Sequence, residues 1–318
     1  GAFRITWPVG FVRIEMSDEQ ARPDPTVIGD VAAPPFARLP DPLQLCIDRT
    51  LRLRVLAAGS EIGPYLRFLS DLVELQYRIQ DDLPEPALPD AAALARARDH
   101  AMPPLDRTGF VPDAAFEAIF DRFTGAAVDI DMPPAAAAAL ERVRAADAAG
   151  RARLLHSVLT DDIPADALAE HAFAAAALQV HFSRMAARLD AKALVPVGNG
   201  ACPCCGAPPV STMVVSWRGM HNIRFCACSL CGTYWHQVRI KCVLCGEGKG
   251  IGYQEVEGGA GTVKAETCDS CHRYVKVLYQ VRQTDLEPVA DDAASLGLDL
   301  LMQQQVEALG DQIASFTA

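Results

Sequence analysis

Eight cysteines form four CxxC pairs between Cys202 and Cys271, and the pairs make two copies of one unit offset by 40 residues. Cys202 and Cys205 recur as Cys242 and Cys245. Cys228 and Cys231 recur as Cys268 and Cys271, and 22 residues separate the pairs within each copy. A CxxC turn presents two thiolates to one ion, and a second such turn completes a tetrahedron. The spacing therefore predicts two four-thiolate metal sites, one per copy, with iron and zinc both compatible with the donor set. Such sites are closed and offer a substrate no coordination position.

Other uses of these thiols fit less well. Disulfides belong to oxidising compartments, and the sequence does not open with a basic segment, an apolar core and a small-residue cleavage site. A thioredoxin-type pair needs alternating strands and helices, whereas hairpins surround these pairs. Three cysteines remain. Cys46 falls in a predicted helix as a small buried apolar residue, while Cys204 and Cys226 are spare thiols close to ligands, with no base beside them.

The elements that must position the ligands are short strands. In the first copy the pattern predicts strands over 210–215 and 221–226 with a turn at Arg218-Gly219. In the second it predicts strands over 252–256 and 263–267 with a turn at Gly258 to Gly261. Gly206 and Gly246 match in the 40-residue frame, as do Tyr234 and Tyr274, so a small ribbon has been duplicated. A module this small buries too little apolar surface to fold alone; bound metal contributes on the order of 10–16 kcal/mol in comparable zinc sites.

Residues 39–197 read as a helical bundle, rich in Ala, Leu and Arg, with Pro and Asp where helices begin. Asp41-Pro42 opens the first helix, whose apolar stripe is Leu43, Ile47, Leu51 and Val55, ending at Gly59. Pro64 opens the second, with Leu66, Leu69, Val73 and Tyr77 on one face. Further helices are predicted over 112–123, 135–159 and 164–189. A C-terminal segment, 285–318, is helical from about 289, with Leu296, Leu300 and Leu309 packing back on the bundle. The fold class is thus α+β: a helical domain, two tandem metal ribbons at 198–240 and 241–284, and a C-terminal helix. Residues 1–38 lack periodicity and read as loose, and Met16 reads as a native start behind a leader.

Charge and motif searches narrow the function. The chain carries a net charge of −11, yet residues 202–283 hold nine Lys or Arg against five Asp or Glu. Two divalent ions with four thiolates each bring that half to about neutral, which is weak for nucleic-acid binding. Arg218, Arg224, Arg239, Lys241 and Arg273 read as a solvated face. No stretch is apolar for long enough to span a bilayer. There is no GxSxG, HExxH, Walker or GxGxxG pattern. His272 follows Cys271 directly and is placed to hydrogen-bond near the ligands, and the pairs Asp81-Asp82, Asp161-Asp162 and Asp291-Asp292 suit helix caps. No catalytic constellation emerges.

CPCCG from Cys202, SLCGTYWHQVRIKC from Ser229 and AETCDSCHRYVKVLY from Ala265 resemble the formate dehydrogenase accessory protein family FdhE. LPDPLQL from Leu39, GPYLRFL from Gly63, HAMPPLD from His100 and ADDAASLGLDLLM from Ala290 extend the likeness across both halves. The resemblance implies a cytoplasmic, non-enzymatic assembly factor that acts on the catalytic subunit of formate dehydrogenase. It implies rubredoxin-like sites at Cys202, Cys205, Cys228, Cys231, Cys242, Cys245, Cys268 and Cys271, with iron favoured. His236, Arg239 and Lys241 are carried over as pattern residues without a role. A strand over 235–241 would join the two ribbons, and the acidic bundle would suit a basic client segment such as a twin-arginine signal. A redox or electron-transfer protein and a zinc-ribbon nucleic-acid binder remain as alternatives.

Overall fold

Aspartate and proline place the helix starts. The Asp41 carboxylate accepts from the amides of Leu43 and Gln44 at 3.1 and 3.0 Å, capping α1 (Pro42–Ala57), and Pro42 sits in the first turn, where its missing N–H costs nothing. α2 (Gly63–Arg78) follows the left-handed turn at Gly59. Asp90 and Asp113 cap α3 (Ala91–Asp99) and α4 (Ala114–Ala126) in the same way. The computed structural model describes residues 34–217 and 220–303; Met16, the turn at Arg218-Gly219 and Leu309 lie outside them.

The long helix expected over 135–159 is two helices, α5 (Pro134–Ala145) and α6 (Ala148–Thr160). Ala146 is extended, and the Asp147 carboxylate accepts from the Gly150 amide at 2.7 Å, so a cap interrupts an alanine-rich run that propensity alone would continue. α7 (Leu168–Ala186) packs on α4, α5 and α6 and buries Phe173, Ala177, Leu178 and Phe182 completely.

The stripe expected to bury α1 faces outward: Leu43, Leu51 and Val55 are 43, 40 and 61 % exposed. The inward face carries Cys46, Leu53 and Ala57 together with Arg49 and Arg52. Those guanidiniums meet carboxylates from α8 (Pro288–Ala294) and the segment before it. Arg49 pairs with Glu287 at 3.2 Å, and Arg52 holds Asp291 with two bonds of 2.9 and 2.7 Å. Charge pairing across 239 residues of chain, invisible to a periodicity test, turned the helix.

Seven strands form one sheet in the order β1-β4-β3-β2-β7-β6-β5. The first ribbon supplies β2 (Pro209–Trp217), β3 (Met220–Cys228) and β4 (Tyr234–His236). The second supplies β5 (Ile251–Gln254), β6 (Val263–Cys268) and β7 (Arg273–Tyr279). The join is not a strand over 235–241, because β4 stops at His236 and residues 238–241 turn outward into solvent. Instead β2 and β7 pair in parallel, Thr212 opposite Val277 and Val214 opposite Tyr279. β1 (Ala37–Arg38) borders β4, so the ordered chain reaches into the segment expected to be loose.

Alternation along β3 puts Phe225 on one face and Arg224, Cys226 and Cys228 on the other. On the first face Phe225, Met213, Val215 and Leu278 gather around Leu286. The chain is helical again over 296–303 and covers the same face with Leu298 and Met302, while Leu296 and Leu300, expected to be buried, are 42 and 53 % exposed. Lys276 ties α8 to the sheet through Asp292 at 3.1 Å and the following helix through Asp299 at 2.6 Å. On the second face the core of α4 to α7 runs without a break into Cys202, Cys205, Cys228, Cys231 and Trp235.

Candidate metal centres

Each CxxC pair sits in a tight turn. In the first turn the Cys202 amide donates to Ala207 O and the Gly206 amide returns to Cys202 O, both at 2.9 Å, with Gly206 at φ +76°. The third turn repeats this geometry: Cys242 N donates to Glu247 O at 2.7 Å, Gly246 N donates to Cys242 O at 2.9 Å, and φ at Gly246 is +83°. Glycine is needed because an L side chain rarely adopts this left-handed backbone. Gly232 closes the second turn at φ +75°, and 40 residues on His272 holds the equivalent place at φ +52°. A Cβ on Gly232 would lie 2.4 Å from Leu45 Cδ1, whereas His272 faces solvent. The position next to Cys271 is thus a backbone requirement met by an exposed histidine, whose amide donates to Cys268 O at 2.9 Å.

The turns bring the eight cysteines together in two groups of four, each with ligand atoms within 4.8 Å of one another. The spacing predicted this grouping. Cys202 and Cys231 Sγ are 3.7 Å apart and Cys205 and Cys228 3.4 Å; in the second group Cys242 and Cys271 are 3.9 Å apart and Cys245 and Cys268 3.7 Å. A metal–sulfur bond of about 2.3 Å in a tetrahedron gives a sulfur–sulfur edge of about 3.8 Å, so both groups fit one four-thiolate ion. Burial pushes the Cys202 and Cys205 thiols well above their ordinary value, whereas at Cys231 burial is outweighed by hydrogen bonds from the neighbouring thiols, Cys202 first, which bring the thiol down to about 5. In the second group the Cys271 amide leads in drawing the Cys268 thiol down to about 7.

The surroundings of the two groups differ. All four sulfur-bearing residues of the first are at most 3 % exposed, while Cys245 and Cys271 of the second are only half-buried. The helical half makes the difference. Leu105 N donates to Cys204 O at 2.8 Å, Arg107 N to Cys205 O at 3.3 Å, and Gln179 Nε2 to Ser229 O at 3.0 Å. The HAMPPLD and LPDPLQL segments are therefore packing for the first cluster, with Pro103 against Gly206 and Leu45 against Gly232. Asn199 Nδ2 donates to Cys245 O at 3.0 Å and is the corresponding lock on the second.

The spare thiols separate. Cys204 is fully buried and reaches the first cluster through Thr233, whose Oγ1 lies 3.3 Å from Cys204 Sγ and 3.2 Å from Cys231 Sγ. Thr233 was not foreseen, since one hydroxyl two residues past a ligand gives no pattern. Cys226 faces the core, where burial pushes its thiol up to about 12, and Cys46 is raised to about 11 by the same cause. Of the residues read as a solvated face, Arg239, Lys241 and Arg273 are exposed, Arg218 lies outside the described residues, and Arg224 is buried. Arg224 is 1 % exposed and pairs with Glu266 at 2.7 Å, and the Tyr253 hydroxyl donates to the same carboxylate at 2.8 Å. Among the described residues no helix is long and apolar enough to cross a membrane.

A helical half packed on a continuous sheet that carries two four-cysteine clusters defines an α+β protein with two candidate four-thiolate metal sites. Three family models match in series: "FdhE, N-terminal" over residues 34–199, "FdhE, central domain" over 201–239 and "FdhE, C-terminal domain" over 240–316. The chain belongs to the FdhE family. It is 44 % identical over 290 residues to an FdhE homologue of Rhizobium meliloti, covering 91 % of this chain and 95 % of the relative. It is 34 % identical over 274 residues to a homologue of Stutzerimonas stutzeri, covering 86 and 89 %. The crystal structure of the FdhE protein from Pseudomonas aeruginosa matches with a TM-score of 0.76 at 34 % identity, over 85 % of this chain and 95 % of that one.

Proposed function

We propose that this chain is a cytoplasmic assembly factor that binds the catalytic subunit of formate dehydrogenase before that enzyme is complete, and that it works by docking rather than by turnover. Family membership along nearly the whole described chain carries this reading. The site chemistry is consistent with it, because a tetrahedron of four thiolates has no vacancy at which a substrate would react. In this reading residues 39–197 are the helical domain, 198–240 and 241–284 the two ribbons, and 285–318 the C-terminal segment. Cys202, Cys205, Cys228 and Cys231 hold one ion and Cys242, Cys245, Cys268 and Cys271 the other. Iron is favoured by the family resemblance and zinc is accommodated equally by the donors; iron would add a ferrous–ferric couple, and zinc none.

The half-exposed second cluster supports electron transfer as a second reading, which requires iron there. Metal content and the visible spectrum of protein purified without added metal separate the two. Zinc with no thiolate-to-ferric bands removes the redox reading. Docking is tested by capture of purified catalytic subunit on the immobilised full chain, with and without its N-terminal signal. Binding of the precursor supports the assembly role, and no binding of either form overturns it. Equal binding of both forms overturns recognition of the signal.

A further inference from the structure

The duplication gives two clusters with the same ligands and the same turns, so any difference in behaviour must come from what surrounds them. The first lies inside the core shared by α7, Trp235 and the cysteines, and its turns are held by backbone bonds from Leu105 and Arg107. The second projects from the end of the sheet. Cys245 and Cys271 reach solvent, and residues 247–250 and 269–270 beside them are exposed. Exchange of an ion between thiolate sites is associative: an incoming donor atom must approach the metal or one of its sulfurs before the first bond breaks. At the second cluster that approach is open. At the first it requires the helical core to part from the sheet, an opening with the free energy of a sub-global unfolding event.

We propose that the cluster of Cys242, Cys245, Cys268 and Cys271 is an exchange site, from which a partner bearing thiolate or other strong donors takes or delivers the ion, while the cluster of Cys202, Cys205, Cys228 and Cys231 permanently ties sheet to bundle. This rests on the reading that both clusters bind metal. The step is ligand substitution without electron transfer. The ion passes as a divalent cation to the incoming donors, and the four released sulfurs take protons from solvent as they return to thiols. Asn199 Nδ2 donates to Cys245 O at 3.0 Å and Val243 is buried in the core, so the third turn stays in place while the half-buried Cys245 and Cys271 meet the incoming donor.

The test uses the full chain loaded with zinc and a colorimetric zinc chelator in excess. The expected result is two ions per chain, with one released in a fast phase and the other roughly a hundredfold more slowly, because the slow step waits on core opening. Cys245→Ser and Cys271→Ser remove the fast phase and leave one slowly released ion, with the helical circular-dichroism signal kept. Release of both ions in a single phase, or persistence of the fast phase in both variants, overturns the exchange site while leaving metal binding intact. Failure to load any ion overturns the metal reading itself, and the inference with it.

Discussion

Arg52 and Asp291 join α1 to α8 at a place where each side chain is less than a tenth exposed, and removing one partner strands the other. Arg52→Met keeps length and packing but leaves the Asp291 carboxylate 4 % exposed, with the Glu287 amide at 2.7 Å as its remaining donor. Breaking a buried pair from one side costs about 3–5 kcal/mol. Asp291→Asn keeps acceptance from Glu287 N and leaves Arg52 its contact with Asp285 at 2.5 Å, a carboxylate that is 58 % exposed, so its cost is about 2 kcal/mol. The double variant buries no unpaired charge and is expected to lose about 1–2 kcal/mol in all, a coupling of about 3–6 kcal/mol between the sites. Urea unfolding followed by circular dichroism gives all three values. A loss below 1 kcal/mol for Arg52→Met, or strictly additive single variants, refutes the claim that this pair sets the orientation of α1.

His181 lies among Phe110, Phe116 and Phe182, and burial lowers its pKa to about 4 despite Asp113 at 4.0 Å. The unfolded chain binds that proton more readily, so the stability involved is fully present above 6.5 and is lost as pH falls towards 4, to a total of about 3 kcal/mol. Its Nδ1 has no hydrogen-bond partner, so His181→Phe is expected to flatten the acid limb of a stability–pH curve without loss at pH 7; an unchanged acid slope counts against burial as the cause. Cys204→Ser and Cys226→Ser, assayed by metal content, should each retain both ions. Loss of an ion from either identifies a ligand role that the geometry does not assign.

The grouping of the cysteines in two fours was legible because CxxC is a local spacing rule applied twice in each copy. Helix starts at Asp41-Pro42 and Asp113 were legible for a similar reason, since a cap is read within three residues. What escaped was set by distant chain. The outward turn of the Leu43–Val55 stripe depends on Asp291, the burial of Arg224 on Glu266, and the union of the two ribbons on a parallel pairing between strands 65 residues apart at Thr212 and Val277. The fourth turn misled differently: His272 beside a ligand reads as chemistry, although its φ of +52° shows a place that glycine fills in the other copy.

The two ribbons share their sheet by displacement rather than by a twofold axis. The order β4-β3-β2 is followed by β7-β6-β5, so the last strand of one copy meets the first strand of the other. A twofold would have made the junction self-complementary, with the same strand of each copy meeting across it. Head-to-tail addition instead leaves two unlike ends, one bordered by β1 and the other ending at β5. Duplication in this geometry breaks the equivalence of the copies at the moment it occurs, and each cluster is then free to accumulate substitutions under a separate demand.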